Sequence, residues 1–529
     1  MNGVIEKRGQ TVYIPCVGDL IRTAAHAYPQ KEAVVFYHEN GQRSSITYQQ
    51  LNSKSNSLAN ALTNMGIKKN DHVALYMLNS IEYTVIFLAL AKIGAPAVPV
   101  DFSLVPDELS YIINHSDSKA IFFDDVLKDK VSMARKSFEQ VKHYIYVGDT
   151  CENSLGYEEV LSDAPDKEPE VDIRYLDCLY IGYTSGTTGR PKGAVISHYA
   201  RSIGAGIKNA QYMVDETAKW FSPGPMYHAK PLVNFVQAIA ARATLISMKR
   251  FNHEGALRII NNEKVTHSFM VPAMFNMILS IPQEVRKGYD VSSVKVLVSA
   301  AAPLLTETKL KILDFFKNAG LHEFYGATEL ALCTNLRPED QIRKVRCVGL
   351  PSPIDEVKIL DDDGNEVPRG EVGILYSKNP TQFDGYYKNP KATEDAFRDG
   401  FNTAQDMARM DEEGYIYIVD RKKDMILHGG ENVYPAEIEE SLKNNPKIFD
   451  LAVIGVPNEK YGEEVKAVVV LKENETASVE EIIDWCQGRM SRKKIPRSVD
   501  FVDELPRNPS GKILKRVLRD QYLGKKLIN

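Results

Sequence analysis

The sequence YTSGTTGRPKG at residues 183–193 lies between two short apolar runs, residues 179–183 and 194–196. This arrangement predicts a loop between two strands. The glycines let backbone N–H groups approach a bound group closely, while the hydroxyl groups and Lys192 add donors and a positive charge. Such a set of donors is typical of a polyphosphate-binding loop. A flexible Gly/Ser/Thr linker is the alternative, but it does not account for Pro191 and Lys192 at this place.

Short apolar runs alternate with amphipathic stretches through the first four-fifths of the chain. Residues 72–76 are followed by residues 81–92, and residues 294–298 are followed by residues 307–318. Because each apolar run suits a buried strand and each amphipathic stretch suits a helix laid over it, the alternation predicts an α/β fold.

The pattern changes between about residue 364 and residue 419, where glycines separate short strand-like runs. This region predicts a small antiparallel sheet or barrel. Beyond it the α/β pattern resumes, with a helix that begins at Pro435, two strands and a further helix. The charged run at residues 420–424 therefore predicts a domain boundary, although a charged surface turn inside one domain fits this run equally well.

The chain has 529 residues, with 65 Lys and Arg against 70 Asp and Glu, and a formal net charge of −5. Hydrophobic residues at 43% and charged residues at 26% are ordinary for a globular protein and exclude a disordered chain. The near-neutral balance argues against a dedicated nucleic-acid binder. No signal-peptide pattern or span of about 20 apolar residues is visible, and the scattered cysteines predict reduced thiols. We therefore expect a cytoplasmic protein without a transmembrane segment.

The loop at residues 183–193 resembles the phosphate-loop signature of the adenylate-forming (ANL) superfamily. Further segments resemble other motifs of that family, in the family's order: SAAAPL at 299–304, YGATE at 325–329, NTAQD at 402–406, DRKKD at 420–424, GGENVYP at 429–435 and NPSGK at 508–512. The chain is identified as a member of this superfamily, in the branch of acyl-CoA synthetases or AMP-dependent acid–CoA ligases.

The resemblance implies an α/β fold with a large N-terminal portion, made of two α/β sheets plus a small β-barrel, and a smaller mobile α+β C-terminal domain. The expected boundaries are residues 1–422 for the AMP-binding adenylation domain and residues 423–529 for the mobile cap domain that carries the catalytic lysine. Lys423 is expected to act as the hinge.

The resemblance also implies a two-step reaction. A carboxylate attacks the α-phosphate of ATP and gives an acyl-adenylate and pyrophosphate, after which the acyl group passes to coenzyme A. Its cofactors would be ATP, Mg²⁺ and coenzyme A. The residues expected to bind ATP or AMP are Thr184, Ser185, Gly186, Thr187, Thr188, Gly189, Lys192, Ala301, Ala302, Pro303, Tyr325, Gly326, Thr328, Asp406 and Arg421.

Catalytic roles are expected for Lys512, Glu329, Thr184 and His228. Glu329 matches the family's magnesium ligand, which suits the preference of a hard cation for carboxylate and phosphate oxygens. Without the family, Glu329 reads as an exposed carboxylate at a helix start. Lys512 would bridge the substrate carboxylate and the α-phosphate; by composition alone it reads as a solvated lysine.

Asp406 and Arg421 are expected to hold the ribose, since a carboxylate can accept both ribose hydroxyls. Gln405 departs from the family, which has glycine there, and its Cβ could shift the loop and weaken nucleotide binding. On the coenzyme A side the resemblance implies Gly429, Gly430 and Glu431, and we add Arg250 as a candidate for the CoA phosphate.

The acyl pocket is expected to include Tyr227, His228, Lys230, Ala300 and Gly326. Amino-acid-activating members of the family carry an aspartate after this segment to hold the substrate ammonium group, and none is present here. A lysine in the pocket would repel an ammonium group, which argues against amino acids as substrates. His228 matches an aromatic gate of the thiol tunnel, with a core histidine as the alternative. Lys230 either points to solvent or meets a second polar group of the acid.

A fatty acid or a small aryl acid is the expected substrate, and coenzyme A is the expected thiol acceptor. A stand-alone adenylating enzyme that loads a carrier protein is the alternative, and assembly as a homodimer is left open. A nonenzymatic binding protein of the same fold and a luciferase-type enzyme are the remaining hypotheses.

Overall fold

The computed structural model describes residues 4–7, 10–162, 164–184, 190–428, 431–458, 460–507 and 513–522. The chain forms two compact units. The first contains Met1–Glu356 and Lys378–Asn402, and the second contains Val357–Ser377 and Thr403–Asn529. The boundary expected between residues 422 and 423 stays a prediction.

The first sheet of the larger unit carries the strands that flank the predicted phosphate loop. Its strands lie in the spatial order Gly385–Tyr386, Lys192–Ser197, Cys178–Thr184, Ala97–Pro99, Val73–Tyr76, Ala120–Asp124, His143–Val147 and Leu155–Gly156. From Cys178–Thr184 to Leu155–Gly156 neighbouring strands are parallel, and the pairs at the other edge are antiparallel.

The second sheet belongs to the same unit. Its strands lie in the order Leu350–Pro351, Ala331–Leu336, Gly320–Ala327, Val296–Ser299, His267–Phe269, Lys219–Phe221, Thr244–Met248, Glu32–Tyr37 and Arg43–Thr47. The inner strands are parallel and both edges are antiparallel. A separate two-stranded hairpin pairs Val4–Lys7 with Gln10–Tyr13. Phe397–Arg398 and Phe401–Asn402 also pair with each other, and they lie at one edge of the six-stranded sheet that contains Gly373–Lys378.

Helices connect and cover the strands of both sheets. They are Val17–Ala27, Tyr48–Asn64, Ile81–Ile93, Pro106–His115, Lys128–Ala134, Tyr157–Ser162, His198–Tyr212, Ala229–Ala241, His253–Glu263, Pro272–Ser280, Gln283–Arg286, Thr306–Phe315 and Pro390–Ala396. The helix Ile81–Ile93 is apolar on every face and is buried from Tyr83 to Ile93, as expected for a helix enclosed on all sides. Its Phe87 belongs to one core cluster with Leu75 of the first sheet and Trp220 of the second, so this core lies between the two sheets.

The second unit begins with an antiparallel sheet in the glycine-rich region. Its strands are Glu356–Leu360, Gly373–Lys378, Asp406–Met410 and Ile416–Arg421, each paired with the next along the sheet. A further sheet follows, in the order Glu431–Val433, Ile426–His428, Gly462–Leu471 and Ile448–Asn458, with Ser498–Phe501 parallel to Gly462–Leu471. The helices of this unit are Pro435–Lys443, Val479–Cys486 and Lys515–Tyr522.

These elements confirm the predicted α/β class, with two α/β sheets in the large portion and an α+β arrangement near the C-terminus. The further helix predicted after the two C-terminal strands is Val479–Cys486, and the helix predicted from residues 307–318 is Thr306–Phe315. Within the described ranges, no helix is both long enough and apolar enough to cross a membrane.

Candidate active site

The predicted phosphate loop joins two strands of the first sheet. Cys178–Thr184 and Lys192–Ser197 run antiparallel, and Thr184 lies directly opposite Lys192 in the register. This pairing fixes where the loop leaves and re-enters the sheet. The loop residues predicted to bind phosphate, Ser185, Gly186, Thr187, Thr188 and Gly189, lie outside the described residues.

The Glu329 carboxylate lies next to the end of this loop. Glu329 follows the second-sheet strand Gly320–Ala327 and is only 7% exposed. The Thr184 hydroxyl donates to Glu329 Oε1 at 3.3 Å, and the Tyr386 hydroxyl donates to the same oxygen at 2.8 Å. The alternative in which Glu329 is an exposed helix-start carboxylate therefore does not describe this residue.

The backbone of Glu329 is held as firmly as its side chain. Its carbonyl oxygen accepts a hydrogen bond from the Asn402 side chain at 2.7 Å and another from the Phe383 backbone N–H at 3.0 Å. Because carbonyl and carboxylate are both fixed, the free carboxylate oxygen has a set position relative to Thr184. Preorganisation of this kind is what a cation ligand needs.

Tyr386 was not among the residues that the sequence indicated. It lies on the edge strand Gly385–Tyr386, which pairs with Lys192–Ser197, and the Lys192 ammonium group is 5.0 Å from its ring centre. Burial raises the pKa of the Tyr386 hydroxyl further above its usual range, and the Glu329 charge adds to this effect. The hydroxyl is therefore a permanent proton donor to Glu329. The pairing of the edge strand with Lys192–Ser197 brings the Tyr386 hydroxyl to Glu329, and the sequence does not show this pairing. The two tyrosines that follow Gly385 are only a weak sequence signal.

The segment before Glu329 requires a very close backbone approach. The strand Gly320–Ala327 pairs with Ala331–Leu336, and a Cβ on Gly326 would lie 2.0 Å from the Ala331 carbonyl oxygen. No side chain fits there. Thr328 approaches the other sheet, since its methyl carbon is 3.4 Å from where a Cβ on Gly182 would be. Both sheets therefore converge at this point.

A second group of residues predicted to bind ATP or AMP begins just after the strand Val296–Ser299. Ala300 is buried, whereas Ala301, Ala302 and Pro303 are exposed. Ala301 has a φ of 75°, in the left-handed region that residues with a Cβ adopt at a cost. Tyr325, which is also predicted to bind the nucleotide, is half-buried.

In the second unit, the structure brings together the two residues predicted to hold ribose. Asp406 and Arg421 are directly opposite each other on adjacent antiparallel strands, and Arg421 Nε lies 3.5 Å from Asp406 Oδ1. Gln405 has a φ of 62°, which explains why glycine suits this position. Its backbone N–H donates to the Thr403 hydroxyl at 2.9 Å, and its carbonyl accepts from Lys422 N–H at 3.0 Å. The turn therefore forms with glutamine present.

The predicted hinge lies in the turn that follows Arg421. Arg519 of the last helix donates to the Lys423 carbonyl and to Asp424 Oδ1, each at 2.9 Å. Burial lowers the pKa of the Lys423 ammonium group, and the Arg421 charge lowers it further. Asp420 accepts from the Ala436 backbone N–H at 2.9 Å, which satisfies the start of the helix Pro435–Lys443.

Of the second-unit residues predicted on the coenzyme A side, the structure describes Glu431. Glu431 forms an ion pair with Lys493. Gly429, Gly430 and the predicted catalytic Lys512 lie outside the described residues. Their roles stay predictions.

The predicted acyl pocket begins at Tyr227 and His228, whose ring centres are 4.2 Å apart. Burial lowers the pKa of His228, so its imidazole is neutral at pH 7. Its Nε2 is buried and forms no hydrogen bond with the described residues. Phe102 packs edge-on against Tyr227 with the ring centres 5.2 Å apart. A neutral imidazole beside the Tyr227 ring suits a gate, and it equally suits a packed histidine.

Two further cations have predicted roles, Lys230 in the acyl pocket and Arg250 on the coenzyme A side. The Lys230 ammonium group is surrounded by aromatic rings, so it does not point into bulk solvent. Arg250 is exposed, and it forms an ion pair with Glu39 at 3.3 Å. The CoA-binding role suggested for Arg250 stays a prediction.

The sequence matches the models of known protein families over most of its length. The model of the AMP-binding enzyme family matches residues 21–387, and the model of the AMP-binding enzyme C-terminal domain matches residues 437–512. The chain belongs to the AMP-binding enzyme family. It is a member of the acyl-CoA synthetase branch of the adenylate-forming superfamily, and it is an enzyme.

Several relatives are similar to this AMP-binding enzyme over nearly its whole length. A long-chain-fatty-acid–CoA ligase, FadD13, from Mycobacterium tuberculosis is 36% identical over 96% of this chain and 98% of that protein. A feruloyl-CoA synthase from Amycolatopsis is 31% identical over 94% of this chain and 98% of that protein. The crystal structure of ATP-bound MatB from Rhodopseudomonas palustris matches with a TM-score of 0.86 and 29% identity, covering 97% of this chain and 100% of that one.

The Tyr386 hydrogen bond to Glu329 predicts a functional effect for this AMP-binding enzyme. Tyr386→Phe removes one hydrogen bond to a charged group, a loss of about 1.5–3 kcal/mol, and lets the carboxylate rotate. We expect kcat/KM for ATP to fall about tenfold or more, measured by pyrophosphate release.

The neighbouring tyrosine supplies the control. Tyr387 donates its hydroxyl to Asp117 at 2.7 Å, whereas Tyr386 donates to Glu329, so Tyr387→Phe should leave kcat/KM for ATP within about threefold of wild type. Equal effects of the two substitutions would contradict a positioning role for Tyr386.

Proposed function

We propose that this chain activates a carboxylic acid with ATP and transfers the acyl group to coenzyme A. In the first step a carboxylate oxygen attacks the α-phosphorus, the bond to pyrophosphate breaks, and an acyl-adenylate forms. In the second step the thiolate of coenzyme A attacks the acyl carbonyl carbon, and AMP leaves. The observation that carries the proposal is the buried Glu329 carboxylate, fixed by Thr184 and Tyr386 at the end of the loop.

Glu329 is the residue we propose to hold Mg²⁺. Both hydroxyl contacts described above go to Oε1, which leaves Oε2 available to a metal ion. Within the described residues, no group of three or more His, Cys, Asp or Glu side chains could form a metal cage. Mg²⁺ usually binds to proteins through one or two carboxylates together with substrate phosphates and water. The bound ion would offset charge on the phosphates of ATP.

The other nucleotide contacts follow the order of the motifs. We propose that Thr184 and Lys192, with the loop between them, hold the β- and γ-phosphates, and that Thr328 donates to the α-phosphate. Donors and cations placed in advance stabilise the charge that accumulates in the transition state. Asp406 would accept the ribose hydroxyls. The Arg421 guanidinium beside it balances the charge of that carboxylate.

Coenzyme A is the acceptor that we favour. Relatives that match this chain from end to end are CoA ligases and CoA synthases. A carrier protein as acceptor and assembly as a homodimer remain predictions of the sequence. The relatives act on a long-chain fatty acid and on ferulate by name, so both a fatty and an aryl acid are candidates for this chain.

A panel of fatty, aryl and dicarboxylic acids, assayed for pyrophosphate release with and without coenzyme A, tests the proposal. We expect release that depends on the acid, and AMP together with a thioester only when coenzyme A is present. If adenylate forms but coenzyme A never accelerates AMP release, the acceptor is a carrier protein. If no acid supports pyrophosphate release, the proposed function is wrong.

Lys512 is proposed to serve the first half-reaction alone. Lys512→Ala removes the cation that would bridge the carboxylate and the α-phosphate, so we expect adenylate formation to fall by a factor of about 100 or more. Thioester formation from supplied acyl-adenylate and coenzyme A should remain near the wild-type rate. Both half-reactions can be followed separately by pyrophosphate release and by AMP release. Near-normal adenylate formation would show that this role is wrong.

Lys423 is proposed as the hinge on which the C-terminal residues turn between the half-reactions. A hinge residue must absorb a change of φ and ψ, and proline removes that freedom because its ring fixes φ. Lys423→Pro should therefore retain adenylate formation and lose thioester formation. Lys423→Ala removes the same ammonium group without restricting the backbone, and it should retain both steps. If the proline variant also retains both steps, Lys423 is not the hinge.

A further inference from the structure

Lys230 has an unusual position for a lysine. It is the second residue of the helix Ala229–Ala241 and follows His228 by two positions. The N-terminal end of a helix carries a partial positive charge, so a cation in the first turn is disfavoured. His228, the residue before the helix, supplies no side-chain cap. Helix stability therefore does not explain a lysine here.

Four aromatic rings surround the Lys230 ammonium group. The distances from Nζ to the ring centres are 5.1 Å for Phe324, 5.6 Å for Tyr212, 5.6 Å for Phe269 and 6.0 Å for Trp220. Its one hydrogen-bond acceptor among the described residues is Gln237 Oε1, at 3.2 Å. Across the same residues no carboxylate forms an ion pair with it.

The rings bring two further donors to this cage, defined as Lys230, Tyr212, Trp220, Phe269 and Phe324. Tyr212 and Trp220 are completely buried, and neither the Tyr212 hydroxyl nor Trp220 Nε1 forms a hydrogen bond with a described residue. Buried donors are satisfied in more than 90% of cases. The cage is therefore rich in donors and poor in acceptors.

A second buried cation lies close behind the cage. Lys208 is on the same helix as Tyr212 and is 6% exposed. Burial holds the pKa of Lys208 well below its ordinary range, and the charges of Arg201 and Lys230 lower it further, while Asp355 partly opposes them. Burial also lowers the pKa of Lys230, to about 7. An anion bound in the cage would relieve both effects.

The cage adjoins the predicted acyl pocket. Phe324 immediately precedes Tyr325 and Gly326 on one strand, and Lys230 is two residues from the proposed gate at His228. Lys230 is half-buried as a whole residue, and its ammonium group lies among the four rings. A polar group of an acid bound in the predicted pocket would therefore have to lie among these rings to meet it.

We propose that Lys230 binds the second carboxylate of a dicarboxylic acid whose other carboxylate is activated by ATP. The inference rests on the proposed function, because it names the class of acid that the same pocket takes. The aromatic rings would pack against the apolar frame of the acid, and Lys230, Tyr212 and Trp220 would donate to its far carboxylate.

A simple fatty acid is a poorer match for these residues. An alkyl chain packed into the cage would leave the ammonium group and the two donors buried without partners, at a cost of about 1–3 kcal/mol for each neutral donor and more for a charge. The same unpaired groups would thus select against monocarboxylic acids. An anionic group at the far end of the acid satisfies all of them.

The test compares matched acids in wild type and in Lys230→Met. The pairs are octanedioate with octanoate and terephthalate with benzoate, assayed by pyrophosphate release. We expect wild type to have the higher kcat/KM for the diacid of a pair. In the variant, the ratio of kcat/KM for the diacid to kcat/KM for the monoacid should fall at least about tenfold, because one charged hydrogen-bond partner is lost. The kcat/KM for the monoacid should stay the same or rise.

Two further variants keep the result interpretable. Lys230→Arg retains the cation and should retain the preference for the diacid. Lys311→Met removes an exposed lysine that pairs with Glu307 on the helix Thr306–Phe315. This substitution should leave kcat/KM unchanged for both acids of the pair. Replacing an unpaired buried cation by an apolar side chain should not lower the midpoint of thermal unfolding.

The outcomes separate this inference from the proposed function. An unchanged ratio in Lys230→Met overturns the inference, whether or not the variant loses stability, because the lysine is then structural. Activation of the monoacids alone by wild type also overturns it, while the proposed function stands. Only a failure of wild type to release pyrophosphate with any carboxylic acid would count against the proposed function itself.

Discussion

The Glu329 carboxylate is the point on which the arrangement of the larger unit depends. It lies at the end of a strand of the second sheet, and it accepts hydroxyl groups from Thr184 and Tyr386, which belong to the first sheet. One buried carboxylate therefore ties the ends of two sheets together beside the predicted phosphate loop. Because a buried carboxylate without partners is costly, the fold must keep both hydroxyls in place, and the position of the carboxylate is then determined before any nucleotide binds.

Charge in the interior follows a consistent pattern around this point. Tyr386 contributes a hydroxyl that stays protonated, and Lys192 stacks over its ring, so the carboxylate has donors on one side and a cation nearby. The acyl side is the reverse, since the cage around Lys230 has one lysine and two further donors, and no carboxylate of the described ranges forms an ion pair with that lysine. An enzyme of this family that took plain alkyl chains would gain nothing from that imbalance. The imbalance is the basis of the proposal that the acid carries a second charged group.

The sequence was sufficient for the fold class and for the order of the motifs, because each motif is local. Strands on both sides of the phosphate loop, the helix at Pro435 and the antiparallel region rich in glycine all formed as predicted. Contacts that depend on how distant strands pair could not be predicted from the sequence. Tyr386 reaches Glu329 only because its edge strand pairs with Lys192–Ser197, and nothing in the residues around Lys230 indicated that its ammonium group would lie among four rings. Gln405 shows the opposite case, in which a departure from the family motif was visible in sequence but its φ of 62° needed the structure.

The affinity for ATP with and without Mg²⁺, measured by isothermal titration in wild type and in Glu329→Gln, tests the central claim most directly. Glutamine keeps an oxygen that can accept from Tyr386 and Thr184, so the tie between the sheets should survive while the negative charge is lost. We predict that Mg²⁺ strengthens ATP binding to wild type and that this gain falls about tenfold or more in the variant. The same gain in both proteins would contradict the assignment of Glu329 as the residue around which the nucleotide site is built.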